Sequence, residues 1–468
     1  MSQRRLDLWL LFLLLMARVR IDTLADMVLP TRHQDVARLP LVQRLFSPHA
    51  QELLKDWLTD PLSLVLISIA FAGFFLYLIA DLAQERWGEA KLYPVKLALI
   101  WLIIAATVIA GSAKLIALRQ MNGPASYCHD GGVIQTEEAV KLFLAGRNPY
   151  VEDYLNTPLA EWGLDLRSAL YHYPYLPWTF VFAAPFYLLA RAAWGYFDAR
   201  MVYLLLFVLT LVMSLRLARR PAHRLLLVMA LGLNPIMGSD VIFGQNDIFV
   251  LFWMVLAWWL LPRGEPERRQ EWRYLASSAA AGLALASKPT AWFMLPFHLL
   301  ALWEVRWEGR RWSISPRWWS RALPILVVFL ALAGPYFVWS PAAFVDDIWK
   351  WASGTSAAPY QIRGWGFANF VLALGFVESR LSYFPFWIPQ LLTCAPLLVL
   401  LLWRQVRQAH GPAGIALHTA ILLFVYAFFS RFFNENYVGF IAALLAIGLL
   451  AEEGAEPAHA AHGAVSAI

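Results

Sequence analysis

Along this chain the apolar residues come in long unbroken blocks, not in the alternating or 3.6-residue patterns of a water-soluble core. Residues 61–80, "PLSLVLISIAFAGFFLYLIA", run twenty positions without a charge, and 322–339 and 385–403 are equally free of charge. Stretches of about 20 apolar residues match the hydrocarbon thickness of a bilayer and predict membrane-spanning helices. The polar segments between the blocks sort by charge. "RLARRPAHR" (216–224), "PRGEPERRQEWR" (262–273), "WEVRWEGRRWSISPRWWSR" (303–321) and "WRQVRQAH" (403–410) are strongly basic, which assigns them to the cytoplasmic side.

Parity then places the remaining connections. The chain turns at the outer face in "NPIMGSDVIFGQND" (234–247), in "SKPT" (287–290), through 340–384 and in "RFFNENY" (431–437). The span 94–117 runs outward and 61–80 inward, so the loop opening at 118 is external. A full crossing at 176–190 would put "RLARRPAHR" outside. That segment starts and breaks at Pro177 and Pro185, so it is expected to be a re-entrant or interfacial helix. The expected fold is an all-α polytopic membrane protein with about 11–12 spans and juxtamembrane helices in the first large external loop.

Along the chain this gives N-terminal extra helices over 1–93, made of a marginal, uncleaved first helix and the span 61–80. A transmembrane core over 94–340 follows, carrying the acidic external loop 118–175. An external loop (341–384), C-terminal helices (385–451) and an Ala/Gly-rich, disordered cytoplasmic tail (452–468) complete it. No internal repeat is visible.

Composition agrees. The chain is 60% hydrophobic and 15% charged, with a mean hydropathy of +0.54, too little charge for the surface of a soluble domain this long. The excess of 38 Lys and Arg over 32 Asp and Glu sets orientation in the bilayer and gives no reason to invoke nucleic acid. Two cysteines, Cys128 and Cys394, form neither a disulfide framework nor a metal motif. Many of the 23 Trp fit interfacial anchors.

The expected topology gathers polar residues at the outer face. "HDGGVIQTEEAVKLFLAG" (129–146) places Asp130 before two glycines and a short helix over 136–146, with Thr136 as its cap and Gly146 just past its end. There Glu137 and Glu138 complement the helix dipole, and Glu137 is also a candidate substrate contact. Asp240, Gln245, Asn246 and Asp247 either satisfy the turn backbone or face a substrate; with Asp130 they also offer oxygen ligands for a divalent metal, although no compact motif requires one. Lys288, at membrane depth, is either functional or a snorkelling, paired lysine. Arg431 and Asn434 come from the last outer turn, and Arg363, Trp351 and Trp365 from 340–384. The tryptophans are sugar-stacking candidates or interfacial anchors.

Four stretches carry a resemblance. "AGRNPY" (145–150), "YPYLPWTFVFAAPF" (173–186), "GQNDIFVLF" (244–252) and "ASKPTAWFMLPF" (286–297), in that order after an early loop aspartate, resemble the polyprenol-phosphate-dependent GT-C glycosyltransferases. The likeness is strongest to glycosyltransferase family 87, with its mannosyl- and arabinosyltransferase-like membrane enzymes. It covers roughly residues 94–340. Where many GT-C relatives show His-Glu-x-Tyr near the C-terminus, this chain has "NENY" (434–437), with Asn434 in place of the histidine.

The resemblance implies transfer of a mannose- or arabinose-like sugar from a polyprenyl phosphate to a hydroxyl of a glycan, lipid or protein, with inversion, at the non-cytoplasmic face of the cell membrane. It casts Asp130 as the base. Lys288, Arg431 and Arg363 face the phosphate, and Glu137, Tyr150, Asp240, Gln245, Asn246, Asp247, Trp351, Trp365 and Asn434 contact the substrates. Two other readings stay open. A transporter or flippase predicts a repeat and polar groups at mid-membrane; a non-catalytic membrane subunit would present the 340–384 loop to a partner.

Overall fold

The computed structural model describes residues 6–28, 32–54, 59–128, 131–162, 167–262, 270–308, 311–408 and 411–451. Asp130 lies outside them. The described chain is a helical bundle with two short strand pairings, Arg306–Glu308 antiparallel to Arg311–Ser313 and Arg363–Gly364 parallel to Phe432–Phe433.

Four helices are long and apolar enough to cross a membrane: Pro61–Trp87, Glu89–Asn122, Trp318–Trp339 and Trp387–Arg407. A fifth is added if Pro221–Gly232 and Pro235–Phe243, bent by 47° at their junction, are one broken span. The chain is therefore a membrane protein. Four or five full-length helices stand where about 11–12 spans were expected. Most of the difference lies in Arg200–Ser214, Asp247–Leu260, Pro289–Leu302, Pro412–Phe428 and Glu435–Leu450, which are between 10 and 17 residues long. At ~1.5 Å per residue the longest reaches about 26 Å, short of a hydrocarbon core of about 30 Å.

The breaks have local causes. Asn234 caps the helix Pro235–Phe243, its side chain accepting from the Ile236 and Met237 amides at 3.1 Å each and donating to the Gly439 carbonyl at 2.9 Å. Gly244 ends that helix at φ 97°, a conformation L-residues avoid, and a Cβ there would come within 2.9 Å of Val133. Lys288 precedes Pro289 and is extended, φ −160° and ψ 143°, as pre-proline sterics require.

The loops separate to two ends of the bundle. At one end the basic segments meet each other: Arg216 stacks 5.5 Å over Trp259, Arg273 donates to the Trp259 carbonyl at 3.2 Å, Arg321 pairs with Glu271 (2.9 Å) and Glu304 (2.7 Å), and Arg407 lies 6.0 Å over Trp307. At the other end the turns 244–246, 286–288 and 431–434 come together. The helix Trp178–Trp194 is tied at both ends. Leu176 and Trp178 donate backbone N–H bonds to Ser287 and Ala286 at 3.0 Å. Beyond its C-terminus the Ala199 N–H donates to Glu137 at 2.9 Å, and Arg200 to the carbonyls of Tyr127 (2.9 Å) and Ile242 (3.2 Å). Leu188, Leu189 and Trp194 are exposed along this helix.

The first helix, Leu6–Val28, has 23 residues but is not among the helices apolar enough to span. Its fully buried Arg18 donates to the Pro235 carbonyl (2.9 Å) and to Ser239 (2.8 Å), so it packs on the broken pair 221–243.

The helix after Asp130 differs from its expected form. It runs Gly132–Leu144, four residues earlier than the expected 136–146, and Thr136 lies inside it, donating to the Gly132 carbonyl at 2.8 Å. Tertiary pairing overrides the local cap signal. Glu137 is buried, bonded twice to Arg119 at 2.7 Å, and Arg119 also pairs with Asp198 (3.0 Å), itself held by Arg200 (2.6 Å). Burial pushes the Glu137 carboxyl up against the pull of Arg119. Asp198 is also buried, yet Arg200 and Arg119 hold it below the usual carboxylate range. Gly146 adopts φ 70° just past the helix, as expected.

Candidate functional site

Three helix breaks meet around Lys288. Its Nζ donates to Asp247 Oδ1 at 2.7 Å and to Asn246 Oδ1 at 3.3 Å, and lies 5.7 and 5.8 Å from the ring centres of Tyr175 and Tyr437. Asp247 opens the helix Asp247–Leu260, where the dipole favours a carboxylate, and its Oδ2 accepts from Asn436 Nδ2 at 2.6 Å. The Asp247 side chain is 1% exposed and that of Lys288 11%. Among the described residues two of the three ammonium protons are used, which leaves the third for a ligand oxygen.

Around this pair, Gln245 Oε1, Asn246 Nδ2 and Thr290 Oγ1 are buried without a hydrogen-bond partner among the described residues. Buried polar atoms are nearly always satisfied, and these three stand together beside the ion pair. Asp240 is buried, and its backbone carbonyl accepts from Gly244 (2.9 Å) and Gln245 (2.7 Å), closing the turn.

Segment 172–175 joins this pair to a second polar group. His172 Nδ1 lies 2.7 Å from Asp347 Oδ1 and 3.6 Å from Asp346 Oδ2. Asp347 Oδ2 accepts from the Tyr173 N–H at 2.8 Å. Burial pushes the Asp347 carboxyl up to about 6, against His172 and the Tyr173 amide. Tyr150 braces the segment: it is buried, donates to the Tyr175 carbonyl at 2.8 Å and packs against Tyr173, Phe180, Tyr336 and Phe344. Gln135 anchors the helix Gly132–Leu144 to the same segment through the Ala169 (2.8 Å) and His172 (3.0 Å) carbonyls.

The other expected site residues divide. Trp351 is buried against Tyr360 (4.7 Å) and His172 (6.2 Å), whereas Trp365 is exposed. Asn434 donates to the Tyr360 hydroxyl at 3.3 Å. Arg363 is exposed, and its N–H continues the strand pairing to Arg431. Arg431 is 2% exposed and spends its donors on backbone carbonyls: Tyr360 (2.5 Å), Ser382 (2.8 Å), Leu381 (3.1 Å) and Arg380 (3.2 Å). Burial lowers its pKa to about 10, so it stays cationic at neutral pH. Glu137 is committed to Arg119.

Arg431 thus clamps the 355–385 loop. Arg431→Gln should accelerate proteolysis in that loop and lower the thermal midpoint, because each buried carbonyl left unsatisfied costs ~1–3 kcal/mol. A variant as stable as wild type that binds polyprenyl phosphate more weakly would instead put this guanidinium on the substrate.

A cavity of about 240 Å³ opens on the flank, lined among others by Arg119, Glu137, Lys141, Arg191 and Asp198. Arg119 is consumed by Glu137, Asp198 and the Pro124 carbonyl (2.7 Å), Lys141 pairs with Glu138 and Arg191 donates to the Gly195 carbonyl. Its charges answer one another; those around Lys288 leave polar atoms over.

His172 is the site residue that motif spacing passes over; Tyr175, Asn436 and Tyr437 lie within "YPYLPWTFVFAAPF" and "RFFNENY" but carry no assigned role there. A lone histidine among tyrosines in "YHYPYLPW" (171–178) is the one available signal, and nothing local links it to Asp347. No family model, curated protein or solved structure matches the chain.

Proposed function

We propose that the chain is a membrane glycosyltransferase that moves a mannose- or arabinose-like sugar from a polyprenyl phosphate to an acceptor hydroxyl, with inversion, at the outer face. The observation that carries this reading is the Lys288–Asp247 pair, with buried polar atoms of Gln245, Asn246 and Thr290 beside it that find no partner among the described residues. A sugar phosphate offers what such a pocket lacks: hydroxyls for the amide and carbonyl groups, and an anionic oxygen for the remaining ammonium proton.

In the reaction the acceptor oxygen attacks the anomeric carbon opposite the phosphate, and the carbon–oxygen bond to the phosphate breaks. Asp130 takes the acceptor proton, and the polyprenyl phosphate leaves with its electron pair. Lys288 stabilises charge on the departing group. The rings of Tyr175 and Tyr437 narrow the approach and hold the ammonium. The polar cluster sits at one end of the bundle, and the chain shows no repeat, which weighs against a transporter built on alternating access.

The test is transfer by purified protein, given a panel of labelled polyprenyl-phosphate sugars. Product that appears with one donor, and disappears in Lys288→Ala, supports the reading; no transfer from any donor removes it. Sidedness is tested in cells. With Cys128 and Cys394 replaced, Glu378→Cys should react with an impermeant thiol reagent from outside and Arg219→Cys should not. Labelling of Arg219→Cys from outside would invert the orientation.

A further inference from the structure

We propose that His172, Asp346 and Asp347 form a binding site for a first-row divalent cation of the Mn²⁺ or Zn²⁺ class. One donor atom from each lies within 4.8 Å of the others. The closest pairs, Nδ1 to Asp347 Oδ1 at 2.7 Å and to Asp346 Oδ2 at 3.6 Å, bracket the spacing of neighbouring ligands. Bonds of about 2.1 Å put adjacent donors roughly 3 Å apart.

The hydrogen bonds around the histidine make the case. Nε2 lies 3.0 Å from the Ala358 carbonyl oxygen, and a carbonyl only accepts, so Nε2 carries the proton. A neutral imidazole then turns its Nδ1 lone pair toward a carboxylate oxygen at 2.7 Å. That contact is closed either by a second proton, as imidazolium or carboxylic acid, or by a metal ion in the proton's place. The surroundings fit a metal ligand set: a ring N–H on a backbone carbonyl, one carboxylate anchored by the Tyr173 amide (2.8 Å) and the other by the Ser356 hydroxyl (2.9 Å). Such outer contacts fix tautomer and orientation at metal centres. Trp351, 9% exposed and 6.2 Å from the His172 ring, keeps its indole N–H without a partner among the described residues, a donor for an anion held on the ion.

The donor set selects the cation. One imidazole with two carboxylates suits Mn²⁺ or Zn²⁺, whereas Ca²⁺ and Mg²⁺ favour oxygen alone. The Asp346 side chain is 33% exposed, while those of His172 and Asp347 are each 4% exposed, so the ion enters over Asp346. The site stands on its own geometry. One consequence rests on the transferase reading: an ion beside segment 172–175 supplies positive charge near the leaving phosphate, which Arg431, bound to four carbonyls, does not.

The experiment is metal binding by the full-length protein in detergent, stripped with EDTA and titrated with Mn²⁺ or Zn²⁺ by calorimetry and elemental analysis. Wild type should take up about one ion per chain, and Asp347→Asn and His172→Ala should weaken binding on the order of 100-fold or more. Asp346→Asn, at the exposed edge, provides a further variant where the buried ones fail to fold. A His459→Ala/His462→Ala chain must bind as wild type does, which separates the site from the tail histidines. No ion bound by wild type, or folded Asp346→Asn and Asp347→Asn proteins that bind like wild type, would overturn the site. Binding is read without catalysis, so loss of the transferase reading leaves this test intact.

Discussion

Asp130→Asn is expected to lower sugar transfer about 10²–10⁴-fold, the usual worth of a positioned general base, with donor binding nearly unchanged. The exchange keeps the size and a hydrogen-bonding carbonyl and removes only the ability to accept a proton. Three of the described carboxylates are already engaged. Asp247 faces Lys288 and Asn436, Glu137 faces Arg119, and Asp347 faces His172. The helix that follows Asp130 abuts the turn bearing Asn246 and Asp247, since Val133 packs on Gly244. Single-turnover transfer of a labelled lipid-linked sugar by purified, folded protein measures the effect. A wild-type rate would remove Asp130 as the base and return the question to a carboxylate now assigned to an ion pair.

How much of this was legible depends on distance along the chain. The lipid-facing blocks could be read directly, because a bilayer asks only for length and apolarity, and Pro61–Trp87 and Trp318–Trp339 follow. The breaks at Asn234, Gly244 and Lys288 were also visible, since cap, glycine and pre-proline chemistry are local. The partners of polar side chains were not. Arg431 binds a carbonyl 71 residues away and His172 a carboxylate 175 residues away; no periodicity records such pairs. The early start of the helix at Gly132 has the same origin, because Arg119 and Ala199 rather than Thr136 decide where Glu137 must sit. Several expected spans are helices of only 10–17 residues, a length that residue type alone does not record.

Lys288→Ala is expected to reduce both stability and transfer, and the two losses can be separated. Removing the ammonium leaves the Asp247 carboxylate, 1% exposed, with Asn436 as its remaining strong partner, and breaking a buried pair costs about 3–5 kcal/mol. Lys288→Met with Asp247→Asn removes both charges. Its side-chain carbonyl still accepts from Asn436, so the thermal midpoint at a fixed scan rate should recover most of the loss. Transfer should not recover, because no cation then meets the phosphate. Lys288→Arg keeps the charge on a planar group that the aromatic walls of Tyr175 and Tyr437 fit less well, so partial activity is expected. Binding of unlabelled polyprenyl phosphate supplies the third readout: weakened in Lys288→Ala and in the neutral double variant alike, whatever their stabilities. If the double variant regains both stability and transfer, the pair only holds the helix breaks together. The polar atoms of Gln245, Asn246 and Thr290 would then need another reason to be left without partners.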